Sequence, residues 1–296
     1  MTTPGNPRPG SLLERMAQCR ERALGRGALQ PIATRCHIVE DGGIPFGVRV
    51  LSTAAREAEA RYQRRRARGV PSANPFLPYD PDLYVGDAGD AHVCLLNKFN
   101  VVEDHLLVVT RQFEAQESRL ALADFAAVWA CLWEADGLAF YNSGVVAGAS
   151  QPHKHLQLVL GSLCPGEPGL PIAGACQAAP PGATNLASLP FDHAWQPLPA
   201  AASPAAAAAA GFAAYGDLLA RLGLVPAGGQ PAPYNLLFTR QWMLLVPRSR
   251  ECYHSISVNA LGFAGALLVR DAAELELVTA AGPLAVLGHV ARPRGA

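Results

Sequence analysis

The sequence predicts an α+β protein with a mainly antiparallel sheet, built from two related halves. Residues 92–97 and 105–111 (HVCLLN and HLLVVTR) are β-rich runs joined by a short polar connection, which is typical of a hairpin. Residues 234–239 and 242–248 (YNLLFT and WMLLVPR) repeat that pattern later in the chain. Helical segments accompany both hairpins, and we interpret the repetition as an internal duplication.

A segment rich in Pro, Gly and Ala separates the two hairpins. It covers residues 164–190 and is the best candidate for a linker in the chain. We therefore expect a disordered tail at 1–10, an N-terminal half at 11–163, this linker, and a C-terminal half at 191–296.

The first elements of the N-terminal half follow from periodicity and punctuation. Residues 11–25 have helical periodicity and begin with Ser, a favourable N-cap. The sequence then predicts a strand over 46–51 (FGVRVL), a charged helix over 53–68 and a proline-punctuated loop over 71–81.

The remaining elements follow the first hairpin. Residues 117–136 form an amphipathic helical pattern with apolar residues at i+3 and i+4 spacing. A strand is predicted over 138–142 (LAFYN), a loop of small residues over 143–152, and a strand over 153–160. In the C-terminal half, the alanine-rich residues 200–224 predict a helix, since Ala is the best helix former.

Composition disfavours several classes of partner and site. The 296 residues include 24 basic and 24 acidic residues, so the zero formal charge does not favour nucleic acid or an anionic membrane surface. The seven cysteines are odd in number and lack C-x-x-C spacing, which argues against a disulfide framework and a cysteine-based zinc site. The polar N-terminus lacks a signal-peptide core, and no run of about 18 apolar residues occurs. We expect a reduced, soluble, cytoplasmic protein.

The stretch GASQPHKHLQLVLGS alternates in a way that predicts two unlike faces of one strand. His153, His155 and Gln157 fall at every second position, and so share one face. Lys154 and the leucines share the other face, which is typical of a core.

A loop of small residues and hydrogen-bond donors precedes this strand. Asn142, Ser143, Ser150 and Gln151 supply polar side chains, and the Gly and Ala residues between them allow a ligand to approach the backbone. Main-chain N–H groups in such turns bind phosphate well. The pattern G-x-x-x-x-G-K-[ST] of a P-loop is absent from the sequence.

Two histidines on one strand face allow three interpretations: a structural pair, half of a metal site, or nucleophilic catalysis at phosphorus. A metal site needs further ligands, and none is evident nearby in the sequence. Imidazole has a pKa of about 6.5, so at a higher pH the ring is neutral and can act as a nucleophile. Gln157 and the donor-rich loop favour the third interpretation, because a polyphosphate needs them and a metal site does not.

With YNSG and GASQ before it, PHKHLQ resembles the His-x-His-x-Gln signature of the diadenosine tetraphosphate (Ap4A) phosphorylases. These enzymes are also called ATP adenylyltransferases and belong to the histidine triad (HIT) superfamily. The resemblance extends in order through NPFLPYDPDLYV, LLNKFNVVEDHLLVVT, PFDHAW, YNLLFTRQWMLLVPRSRE and SISVNALGFAGALLVR, from about residue 40 to the C-terminus. It implies a HIT-like fold.

The resemblance also implies a mechanism. His155 is the implied nucleophile, which attacks the α-phosphorus of Ap4A, releases ATP and keeps an adenylyl group. Phosphate then removes that group as ADP, and the net reaction is reversible. His153 is implied to position the nucleophile or bind an oxygen. Gln157 would donate to a non-bridging oxygen, and it marks the phosphorylases and transferases where the hydrolases carry His.

Further substrate-binding residues are implied by position within the family motifs. Asn97 and Lys98 match a substrate-binding pair, and Asn259, Ala260 and Leu261 match a nucleotide-binding loop. Two arginines, Arg270 and Arg56, fall where the family often has Lys, with ordinary surface charge as the alternative. Lys154, within the signature itself, is a further candidate for substrate binding, with a strand-edge charge as the alternative.

The sequence leaves other activities open. They are a hydrolase, another nucleotidyltransferase (including one that converts adenylyl sulfate to ADP), or a nucleotide sensor without turnover. The uridylyltransferases of the superfamily carry a zinc-binding cysteine pair that this sequence lacks. We expect ATP, ADP, phosphate and Ap4A as ligands, no protein-bound metal and no tightly bound cofactor. Mg²⁺ is plausible with the substrate phosphates, and we favour a monomer.

Overall fold

A computed structural model describes residues 10–53, 74–164, 166, 169–225 and 229–295. The predicted tail lies outside the described residues except for Gly10. The predicted charged helix at 53–68 lies outside them except for Thr53, and Arg56 lies outside them too.

One antiparallel sheet of eight strands forms the centre of the molecule and includes strands of both halves. Its spatial order is β3-β4-β5-β7-β6-β9-β10-β8. The strands are β3 (Tyr84–Ala88), β4 (His92–Leu96), β5 (His105–Thr110), β6 (Leu138–Asn142), β7 (His155–Val159), β8 (Ala194–Pro197), β9 (Tyr234–Phe238) and β10 (Trp242–Pro247). The halves join where β6 pairs with β9, from Ala139 opposite Phe238 to Asn142 opposite Asn235. The α+β class with mainly antiparallel sheet is confirmed.

A smaller sheet covers one face of the large one. It comprises β1 (Thr34–Asp41), β2 (Ile44–Leu51) and β13 (Ala266–Val269), and its β2–β13 pair is parallel. The short strands β11 (Cys252–Tyr253) and β12 (Ile256–Ser257) form a further pair.

Helices cover both faces of the large sheet. They are α1 (Leu12–Gly25), α2 (Leu122–Glu134), α3 (Ala173–Gln177), α4 (Pro204–Arg221), α5 (Ala260–Phe263), α6 (Ala272–Ala281) and α7 (Pro283–Val290). One hydrophobic core lies between the sheet and α1, α2 and α4, and a second lies beneath the small sheet and α5–α7. Ser11 caps α1 as the sequence predicts, and α4 occupies the alanine-rich stretch.

The predicted linker contributes to the second core through its described residues. Ile172, Leu186 and Leu189 are buried there, and α3 lies within this segment. The boundary between the halves stays a prediction, since the large sheet runs across both. Among the described residues no single helix is long and apolar enough to span a membrane, although the bent pair α6–α7 meets that test by length and composition.

Candidate active site

Strand β7 places His155 and Gln157 on one face of the large sheet, and Leu156 and Leu158 in the core on the other. The Phe76 ring lies 5.3 Å from the His155 ring and 5.6 Å from the His153 ring, so both imidazoles stand on the same side. The alternation predicted from the sequence is confirmed. The strand begins at His155 rather than at His153, because His153 pairs with Ala115 in an isolated bridge.

A hydrogen bond fixes the tautomer of His155. Its Nδ1 lies 2.8 Å from the carbonyl oxygen of His153, and a carbonyl can only accept, so Nδ1 carries the proton. The lone pair is then on Nε2, which has no hydrogen-bond partner within the described part of the chain. Burial lowers the pKa of His155 to about 4, so the ring is neutral at physiological pH. These are the properties of a nucleophilic imidazole.

Both ring nitrogens of His153 are already engaged. Its Nε2 donates to the Thr110 carbonyl at 2.8 Å, and its Nδ1 accepts from the Asn74 amide at 2.9 Å. Burial lowers its pKa, which suits this neutral form. His153 therefore has no free lone pair for attack, and its carbonyl orients His155.

A chain of three side chains orients Gln157. Its Oε1 lies 2.9 Å from Nε2 of His105, and the Asn97 amide lies 3.1 Å from Nδ1 of His105. Burial lowers the pKa of His105 to about 4, so the neutral ring accepts at Nδ1 and donates at Nε2. The Gln157 carbonyl is thus occupied, and its NH₂ group is the end left to donate to a ligand.

His105 was missed by the sequence reasoning, although a signal was present. It is a polar residue on a buried strand, and it shares one strand face with Leu107 and Val109. Asn97 reaches the site through His105, whereas Lys98 is half-buried with Nζ 5.9 Å from the Phe99 ring centre.

Lys154 lies beneath the sheet, on the face opposite the imidazoles. Its side chain is buried, and Nζ lies 2.7 Å from a Glu114 oxygen and 3.1 Å from an Asp124 oxygen. Asp124 also lies 2.7 Å from His92. The Lys154 charge lies directly before the first residue of β7, and its ammonium is part of an ion-pair network rather than a free surface charge. The structure does not bring Lys154 to the face that carries His155.

The donor-rich loop is fixed at its start by Asn142. The Oδ1 of Asn142 accepts from the Asn235 amide at 2.8 Å and from the Ala260 backbone N–H at 2.9 Å. Next to it, Ser143 Oγ is buried and has no hydrogen-bond partner among the described residues. A buried hydroxyl of this kind is a candidate for a bond to a ligand or water.

The loop then packs against the predicted nucleotide-binding loop. Gly148 has φ +84°, and a Cβ there would lie 2.6 Å from the Val258 carbonyl oxygen and 2.9 Å from Asn259. Asn259 caps α5 by accepting from the Leu261 N–H. The structure thus joins two predicted segments more than a hundred residues apart. Ser150 is exposed and Gln151 is half-buried.

Arg248 was also missed, and it connects these segments. The buried guanidinium donates to Asn235 Oδ1 at 2.6 Å, to the Val258 carbonyl at 2.8 Å and to the Ala147 carbonyl at 3.3 Å. Arg270, in contrast, is exposed and pairs with Glu274. No cluster of three or more metal-ligating side chains is present in the residues that the structure describes.

Comparison with known proteins gives consistent matches along the chain. Residues 3–178 match the family model of the Ap4A phosphorylase N-terminal domain, and residues 187–293 match that of the ATP adenylyltransferase C-terminal domain. Diadenosine 5',5'''-P1,P4-tetraphosphate phosphorylase 2 of Saccharomyces cerevisiae is 31% identical over 239 residues, which cover 70% of this chain and 71% of the relative. Protein APA1 of the same yeast is 27% identical over 63% of this chain and 64% of the relative.

Solved structures agree in fold. The crystal structure of yeast Ap4A phosphorylase Apa2 in complex with Ap4A has a TM-score of 0.77 and 24% identity, covering 97% of this chain and 99% of that one. The same enzyme in complex with AMP gives a TM-score of 0.77 and 25% identity, with the same coverage.

Proposed function

The chain belongs to the Ap4A phosphorylase family, and from this premise we propose that it is a nucleotidyltransferase that converts Ap4A and phosphate to ATP and ADP. In the first step Nε2 of His155 attacks the α-phosphorus, the bond to the bridging oxygen breaks, and ATP leaves. In the second step a phosphate oxygen attacks the same phosphorus, the P–N bond breaks, and ADP leaves. Two transfers at one phosphorus allow one site to serve both directions.

The observation that carries this proposal is the state of His155. Its Nδ1 proton is held by the His153 carbonyl, and its burial keeps the ring neutral. A protein that only binds nucleotides does not need a desolvated imidazole with a free lone pair. The other two titratable rings nearby, His153 and His105, have both nitrogens engaged.

Gln157 supports transfer to phosphate rather than to water. Its NH₂ group can donate to a non-bridging oxygen, where negative charge grows in the transition state. An amide cannot act as a general base at physiological pH, so it cannot activate water as a histidine could. Phosphate arrives as an anion and does not need that activation.

The loop after β6 supplies the proposed polyphosphate site. Ser143 Oγ is buried without a partner among the described residues, and the adjoining Gly148 keeps the backbone close to Asn259. We propose that Mg²⁺ enters with the phosphates of the substrate, that no cofactor is tightly held, and that the protein is a cytoplasmic monomer.

The test is product identity after incubation with Ap4A, with and without phosphate. Phosphorolysis gives ATP and ADP only when phosphate is present. A hydrolase gives ATP and AMP without phosphate, and a sensor gives no product. Either result would overturn the proposal. The matched pair of variants is His155→Ala, expected to abolish turnover, and Arg26→Ala, expected to retain it because that side chain is exposed, is paired with Asp82 and lies outside the proposed site.

A further inference from the structure

Gln116 occupies the gap where β6 and β7 separate beside the nucleophile. The pairing of these strands ends at Phe140 opposite Gln157. Continued in register, the ladder would place Asn142 opposite His155. The two backbones instead diverge there, and the Gln116 side chain, which is fully buried, lies between them.

The Gln116 amide takes the place of the missing strand. Its Oε1 accepts from the His155 backbone N–H at 2.9 Å. Its Nε2 donates to the His155 carbonyl at 3.2 Å and to the Asn142 carbonyl at 2.9 Å. The Gln116 amide therefore bonds to the backbone N–H and carbonyl of His155 and to the backbone carbonyl of Asn142, where the proposed phosphate loop begins.

Gln116 is itself held from two sides. Its backbone N–H donates to the Pro152 carbonyl at 2.8 Å, and its carbonyl accepts from the Tyr141 hydroxyl. The side chain thus connects the loop that leaves β6 with the residues that enter β7. A residue tied at backbone and side chain has little freedom to let its partners shift.

We propose that Gln116 is a positioning residue for the reaction, and this inference rests on the proposed function. Its amide sets the separation between the His155 backbone and the start of the phosphate loop, and so sets the approach of Nε2 to the α-phosphorus. A displacement of about 1 Å in such a site costs on the order of 100-fold in rate. The Gln116 amide bonds to the backbone of His155 and of Asn142 and not to the imidazole ring, so we expect its effect on the chemical step rather than on nucleotide affinity.

Gln116→Met tests this proposal, because it keeps the length of the side chain and removes all three hydrogen bonds. We expect kcat to fall about 10- to 100-fold while KM for Ap4A stays within about two-fold. Leu132→Ala is the matched control for lost stability, since Leu132 is fully buried in α2 and away from His155. It should lower the melting temperature and leave kcat unchanged. A Gln116→Met variant that behaves like this control would overturn the positioning role.

Gln116→Glu provides a second, graded readout if the Met variant does not fold. An ionised carboxylate faces the Asn142 and His155 carbonyls, whereas a protonated carboxyl can donate to one of them. The ratio of variant to wild-type kcat should therefore rise as pH falls from 8 to 6. A flat ratio contradicts the proposal.

Wild-type protein measured in parallel separates the two claims. If it shows no phosphorolysis, the proposed function fails, and the positioning role is then tested by NMR titration of His155. Loosening by Gln116→Met should raise the pKa of His155 from about 4 towards its ordinary value, and an unchanged pKa would overturn the inference. If the wild-type protein and the Gln116 variants are all fully active, the positioning role of Gln116 is overturned and the proposed function stands.

Discussion

Replacing Lys154 by Met should destabilise the protein without affecting catalysis. The ammonium is buried between Glu114 and Asp124, on the sheet face opposite His155. Asp124 has a lowered pKa: burial acts to raise it, but bonds from His92, the Ala121 N–H and Lys154 outweigh that effect. Met has a similar length and leaves a buried carboxylate with one partner fewer.

The size of the stability loss depends on the hydrogen bonds that Asp124 keeps in the variant. Leaving a buried charge wholly uncompensated costs about 3–5 kcal/mol. Asp124 keeps its bonds to His92 and to the Ala121 N–H, and Glu114 is half exposed and can turn to water. The buried Met side chain recovers some apolar burial. We therefore expect a loss of about 2 kcal/mol in the free energy of unfolding.

Urea denaturation and steady-state kinetics on the same variant measure both effects. The midpoint should fall with an unchanged slope, and kcat and KM for Ap4A should stay within about two-fold. Asp124→Asn and the double variant complete a cycle, which should show coupling of about 1–2 kcal/mol. A tenfold rise in KM at unchanged stability would refute this reasoning and return Lys154 to the substrate-binding group.

Four further outcomes follow from the site. The burst of ATP release without phosphate should be constant from pH 7 to 5 and decline only near the His155 pKa of about 4; a decline centred near 6.5 contradicts the buried neutral ring. The pKa values of His155 and His105 are lower in the folded protein than in the unfolded chain, so the unfolded chain binds more protons in this range. Urea titrations should therefore show the free energy of unfolding falling as pH drops from about 6.5 to 4. His105→Leu should free the Gln157 amide and lower kcat about 10- to 100-fold, whereas unchanged kinetics would show that Gln157 needs no support. Gly148→Ala places a Cβ 2.6 Å from the Val258 carbonyl oxygen at a residue with φ +84°. We expect kcat/KM to fall at least tenfold while the far-UV circular dichroism spectrum is retained. A fully active variant would contradict the loop packing.

Local patterns in the sequence predicted much of this structure. Period-two alternation placed His155 and Gln157 on one face of β7 and the leucines on the other, because side-chain direction in a strand depends only on position. The helix cap at Ser11 and both hairpins were likewise readable from neighbouring residues.

Long-range partnerships were not readable. Gln116 binds groups 26 and 39 residues away, and Lys154 meets Asp124 across 30 residues, so no local pattern indicates either contact. The pairing of β6 with β9 was also hidden, since two apolar strands give no sign of which edges will meet. Residue spacing alone did not distinguish His153 from His155; the family resemblance pointed to His155, and the hydrogen bonds of the two rings supply a physical reason.

The most direct test of the account is to trap the intermediate. Protein exposed briefly to Ap4A labelled in the adenylyl group, without phosphate, should carry one acid-labile adenylyl group, and peptide mapping under neutral conditions should place it on His155. Addition of phosphate should remove the label as ADP at the rate of turnover. Label on another residue, or phosphorolysis that proceeds at full rate in His155→Ala, would contradict the account.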